Sequence, residues 1–117
     1  MSPKRGNRAA PPPIDGEYDL RFANSAAAEG WELLTRHAPT GLRRAYDRIR
    51  STPRAADVPA RQHRLKGKLA TAGFKGQDLE RRQYEVTGGG RIWYLVDTAD
   101  RTVRITYAGT GHPKETD

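Results

Sequence analysis

The sequence predicts a small α+β domain: an N-terminal strand, an α-helical hairpin, then a three-stranded antiparallel meander. Three observations carry this. Tyr18, Leu20 and Phe22 alternate with polar neighbours at the period of a half-buried strand. Apolar residues between Asn24 and Ser51 recur at helical spacing, interrupted once by Pro39. The last third holds three β-type runs, LERRQYEV, RIWYLVD and TVRITYA, separated by turn signals.

Each element has its own warrant. Residues 1–16 read as a disordered basic arm with three prolines in a row at 11–13. Residues 17–113 form the domain and 114–117 a C-terminal tail. Asn24 and Ser25 are both good caps for a helix over 26–37, with Ala27, Trp31 and Leu34 on one stripe. Pro39 breaks that helix, and Thr40 caps a second over 41–51 with Leu42, Tyr46 and Ile49 aligned. Two helices joined by so short a link read as an antiparallel hairpin. Residues 52–78 hold Pro53, Pro59 and three glycines, with few apolar anchors beyond Leu65, Leu69 and Phe74. They read as a long basic connection with at most one short helix.

The meander has an expected register. Gly88-Gly89-Gly90 fits a three-residue hairpin loop with positive φ angles, and Thr98-Ala99-Asp100-Arg101 a four-residue loop. These loops pair Val86 with Ile92, Tyr84 with Tyr94, Tyr94 with Ile105 and Val96 with Val103, apolar on apolar throughout. The opposite face then carries the rows Gln83–Leu95–Arg104, Glu85–Trp93–Thr106 and Thr87–Arg91–Ala108, extended by Arg81. Glu85 and Arg91 become diagonal neighbours with Cβ atoms about 7–8 Å apart. Trp93 becomes an aromatic on an open face.

Composition bounds the function. The absence of cysteine excludes a disulfide scaffold, a thiolate metal site and a cysteine nucleophile. No apolar run approaches the roughly 18 residues of a membrane span. The N-terminus lacks the apolar core of a signal peptide, so the cytoplasm is the expected compartment. Residues 36–82 carry 13 Lys/Arg against four Asp/Glu, more than the whole net charge of +7. A cationic stretch of this kind points to a polyanion as partner, because Lys and Arg release counterions from nucleic acid. His37 and His63, at a helix end and in a basic loop, are assigned no chemistry. No Walker loop, HExxH or metal-ligand spacing occurs.

Leu65-Lys66-Gly67, then Tyr84-Glu85-Val86 leading to Arg91-Ile92-Trp93-Tyr94, then Val103 to Pro113, resemble the RelE/ParE superfamily of bacterial type II toxins. The ending GTGHPKETD looks like actinobacterial members. The resemblance covers roughly residues 17–113. It implies a toxin that cuts messenger RNA in the ribosomal A site without metal or other cofactor, and that takes no small-molecule substrate. A cognate acidic antitoxin would neutralise it. By that resemblance Arg91 holds the scissile phosphate, His112 acts as acid and Glu85 lies where relatives place a group near the 2′-hydroxyl. Arg81, Arg82, Lys66, Lys68 and Arg104 would hold flanking phosphates, and Trp93 would stack on a base. The paired lysines of one RelE branch are replaced here by Arg81, Gln83 and Glu85, which brings the set nearer the Glu/Arg/His style of the YoeB branch. Two other classes remain open: a ParE-like gyrase poison, and a non-catalytic RNA- or ribosome-binding module.

Overall fold

The computed structural model describes residues 4–9 and 11–111. In chain order the elements are β1 (Asp19–Phe22), α1 (Ser25–His37), α2 (Pro39–Ser51), β2 (Gln62–Arg64), a 3-10 turn (Gly67–Ala70), β3 (Thr71–Phe74), β4 (Gln77–Glu85), β5 (Arg91–Asp97) and β6 (Thr102–Gly109). Two helices and a mixed six-stranded sheet make the fold α+β. The sheet order is β1-β6-β5-β4-β2, with β3 also on β4. β1 joins β6 in parallel, whereas β4, β5 and β6 run antiparallel.

The first helix follows from its ends and one stripe. Asn24 is extended and its side chain accepts from the Ala27 N–H, which satisfies one of the free donors of the first turn. Ala27, Ala28, Trp31 and Leu34 are buried with Leu42, Ala45 and Ile49 of α2 against Ile92, Tyr94, Val103 and Ile105 of the sheet. Gly30 lets α1 lie directly on β6: a Cβ there would stand 1.6 Å from the Ala108 carbonyl oxygen. The second helix starts at Pro39, not at Gly41, and Ala38 rather than Thr40 occupies its N-cap. Pro at the first helical position loses nothing, because that N–H has no partner inside a helix. A single residue, Ala38, therefore separates the helices.

The segment 52–78 is more ordered than its composition suggests. β2 and β3 both lie on the edge of β4 that β5 leaves free, β3 along Gln77–Glu80 and β2 along Arg82–Tyr84. Lys75 (φ 50) and Gly76 (φ 81) close the β3–β4 hairpin between the paired Phe74 and Gln77. Two positive φ values in a two-residue loop match the right-handed twist of the strands they join. Before β1, the Gly6 and Ala9 N–H groups donate to the Phe22 and Leu20 carbonyls, both at 2.9 Å, so residues 6–9 lie along the outer edge of β1.

The meander register departs from expectation in two places. In the β4–β5 hairpin Tyr84 pairs with Ile92, Arg82 with Tyr94 and Glu85 with Arg91, a slip of two residues that preserves the faces. The connection spans 86–90 because Val86 leaves the ladder and is buried in the core, its N–H bonded to the Gly90 carbonyl at 2.9 Å. The triple glycine uses no positive φ; among described glycines only 6, 16, 67 and 76 do. In the β5–β6 hairpin the pairs Tyr94–Ile105, Leu95–Arg104 and Val96–Val103 stand as expected, but the register shifts between Trp93 and Tyr94. Thr106 is the extra residue of this bulge. Beyond it the alternation inverts: Tyr107 pairs with Trp93, Ala108 with Ile92 and Gly109 with Arg91.

Candidate functional site

The sheet face opposite the helices carries three rows of side chains, fixed by strand register. One row runs His63 (β2), Gln83 (β4), Trp93 (β5) and Tyr107 (β6). The next runs Arg61, Glu85, Arg91 and Gly109, Arg61 being brought opposite Glu85 by the Glu85 N–H donating to its carbonyl at 2.7 Å. The third runs Arg81, Leu95, Arg104 and Arg21.

Glu85 and Arg91 sit directly opposite each other rather than diagonally. Arg91 Nη1 lies 3.5 Å from Glu85 Oε2, with side-chain exposures of 10% and 34%. Charge-assisted N–H···O bonds close to about 2.7–2.9 Å, so this pair is loose. The Arg61 guanidinium donates to the Glu85 carbonyl at 3.0 Å, which brings a second cation to the carboxylate-bearing residue. A phosphate oxygen arriving at Arg91 meets a guanidinium already turned to an oxyanion.

The other expected residues divide. Arg81 and Arg104 share the site face and sit over aromatic rings, Arg81 over Trp93 at 5.2 Å and Arg104 over Phe74 at 4.8 Å. Arg104 also pairs with Asp100 at 3.1 Å. Trp93 is 2% exposed and donates its indole N–H to Gln83 Oε1 at 2.8 Å. The free stacking surface expected of it is taken by Arg81, so Trp93 supports that arginine instead of a base. Arg82 belongs to the other side of the sheet. It is buried, pairs with Glu80 at 2.8 Å and donates to the Ala55 carbonyl at 2.7 Å. Lys66 and Lys68 are exposed at the 3-10 turn. His112 lies outside the described residues.

Reasoning from sequence assigned no chemistry to His63 and passed over Arg61 and Tyr107. The three-residue β2 is too short for any alternation to show, so its residues read as loop. Unbroken alternation in β6 would place Tyr107 towards the core, and the bulge reverses it. The available signal was Ala108, small enough to face Gly30. Tyr107 is half-buried and its hydroxyl donates to the Gly111 carbonyl at 2.6 Å, holding the last described residue at this end of the face.

Among the described residues no group of His, Cys, Asp and Glu is placed to hold a metal ion, and no helix is long and apolar enough to cross a membrane. A scan of protein-family models, a search of curated proteins and a search of solved structures each returned no match to the chain.

Proposed function

We propose that the chain is the toxin of a type II toxin–antitoxin system, a metal-independent, ribosome-dependent endoribonuclease that cuts messenger RNA in the ribosomal A site. The observation that carries this reading is the Glu85–Arg91 pair, a carboxylate–guanidinium contact on a face that also bears Arg61, Arg81 and Arg104. RNA brings its own nucleophile, the ribose 2′-hydroxyl. The protein has to place the phosphate, accept one proton and return one. Arg91 offers two parallel donors to the non-bridging oxygens, where charge grows in the transition state. Glu85 stands on the β4 side of that phosphate, the side on which the 2′-hydroxyl proton is accepted, and His112 is the proposed donor to the leaving 5′-oxygen. The O2′–P bond forms as the P–O5′ bond breaks, leaving a 2′,3′-cyclic phosphate and a 5′-hydroxyl. Arg81, Arg104, Lys66 and Lys68 take flanking phosphates.

The cationic stretch 36–82 suits an acidic antitoxin as the neutralising partner, its attraction weakened by salt. One observation favours a second reading, a non-catalytic RNA- or ribosome-binding module: the Arg91 side chain is only 10% exposed. Inducible expression separates the possibilities. Growth arrest with mapped transcript cleavage and falling translation supports the ribonuclease. Arrest with intact transcripts supports the binding module, and a DNA-damage response with intact transcripts supports a gyrase poison.

A further inference from the structure

One imidazole on the same face has no part in the reading above. His63 sits on β2 directly opposite Gln83, in the row adjoining Glu85 and Arg91. Glu85 is its diagonal neighbour across β4, a separation of about 7–8 Å that long side chains and a bound ribose readily span. Its Nδ1 lies 2.9 Å from the Pro59 carbonyl oxygen. A carbonyl only accepts, so Nδ1 carries the hydrogen and the neutral ring presents its lone pair at Nε2. An imidazole anchored through one nitrogen and free at the other is the arrangement of a proton-transfer group, because the anchor fixes both tautomer and ring orientation.

Direction adds a constraint. In-line displacement needs the proton acceptor and the proton donor on opposite sides of phosphorus. With the phosphate on Arg91 of β5, β4 and β2 lie to one side. β6 lies to the other. His63 therefore stands on the acceptor side. Glu85 stands there too, but its carboxylate is already paired with Arg91.

Resting on the ribonuclease reading, we propose that His63 is a catalytic base of this site, and that Glu85 positions Arg91. His63 Nε2 takes the proton of the 2′-hydroxyl, the O2′–P bond forms, the P–O5′ bond breaks, and the 5′-oxygen takes its proton from the donor on the β6 side. The charged groups around His63 are Arg61 and Arg64 near or on its own strand, Arg81 and Glu85 on β4, and Lys66 just beyond β2.

The test is single-turnover cleavage of a short transcript on programmed ribosomes by the full chain, with His63→Ala, His63→Asn and Arg91→Ala compared. The Asn variant keeps an N–H for the Pro59 carbonyl, so it guards against simple loss of the β2 edge. Both His63 variants are expected to fold and bind ribosomes as wild type, and to cut about 10²–10⁴-fold more slowly. The rise of rate with pH should flatten in both. Added imidazole should restore part of the rate to His63→Ala and none to Arg91→Ala. If His63→Ala cuts at the wild-type rate while Arg91→Ala is inactive, the His63 assignment is overturned and the ribonuclease reading stands. Slow cleavage with an unchanged pH profile and no imidazole rescue also overturns it, leaving His63 a structural residue. If the wild-type chain leaves every transcript intact, both are overturned.

Discussion

Asn24 fastens the start of α1 to the bulge in β6: its Nδ2 donates to the Thr106 carbonyl at 3.1 Å while its Oδ1 accepts from the Ala27 N–H at 2.7 Å. Thr106 is the residue whose insertion turns Tyr107 onto the site face. One side chain thus links a helix cap to the shape of the site. Asn24→Ala should lose both bonds, about 1 kcal/mol for the cap and about 1 kcal/mol for the second hydrogen bond. Asn24→Asp keeps the acceptor but sets a carboxylate against a carbonyl, so it should retain the cap and still lose the bulge contact. Urea unfolding, with exchange of the Tyr107 amide read by NMR, checks both. Equal stability of the Ala variant and wild type would show that the tie carries no energy.

Gly30→Ala separates helix propensity from packing. In an open helix this change stabilises by about 1 kcal/mol. Here the new methyl would meet the Ala108 carbonyl oxygen, which is backbone and cannot rotate away. A net loss of about 1–3 kcal/mol is expected from the forced separation of α1 and β6. A raised melting temperature would contradict the contact.

The parts legible in the sequence are those in which one period runs unbroken. Tyr18, Leu20 and Phe22 announce β1, and Val103 with Ile105 fixes the β5–β6 pairing up to Tyr94. Gln62-His63-Arg64 carries no period at all, and its strand exists because the free edge of β4 offers unpaired backbone groups. The bulge at Thr106 breaks the period of β6, and the Asn24 side chain that bonds its carbonyl is some eighty residues away in sequence. Of the site, Glu85 and Arg91 were legible as neighbours because a slip of two residues keeps side chains on the same face. Burial of Trp93 was not, because the Arg81 side chain that covers it has no sequence signature.

The three neighbouring arginines should behave differently towards RNA. Arg81→Ala and Arg104→Ala should each weaken single-strand binding and reduce the slope of log affinity against log salt by about 0.7. Arg82→Ala should leave the slope unchanged and lower stability instead, since it leaves Glu80 with Arg54 alone and removes the donor to the Ala55 carbonyl. Fluorescence anisotropy at several salt concentrations reads the slopes. A full unit lost with Arg82 and nothing with Arg81 would reverse the assignment.

Stability should fall in alkali, with Tyr94 among the causes. Burial pushes its phenol above the ordinary value of 10.0, while the bond from Gln62 and the nearby Arg82 pull the other way. The folded state therefore holds the neutral phenol, and the unfolded state releases the proton first. This contribution is full below pH about 10 and is lost as pH rises through the folded value. Tyr94→Phe removes the hydroxyl that donates to the Pro53 carbonyl at 2.7 Å and accepts from Gln62 at 3.0 Å. It should cost about 1–3 kcal/mol at neutral pH and shrink the alkaline decline. Urea unfolding at several pH values measures both, and an unchanged decline in the variant would remove Tyr94 from it.

The most direct measurement of the proposed function is the cleavage rate of a transcript on programmed ribosomes with purified wild type, Arg91→Ala and Arg91→Lys, each shown to be folded by circular dichroism. Wild type should leave a 2′,3′-cyclic phosphate and a 5′-hydroxyl. Arg91→Ala should be slower by at least about 10²–10³-fold, the cost of removing a donor from a developing oxyanion. Arg91→Lys should recover little, because a point charge does not reproduce two parallel donors. A folded Arg91→Ala that cuts at the wild-type rate would contradict the site.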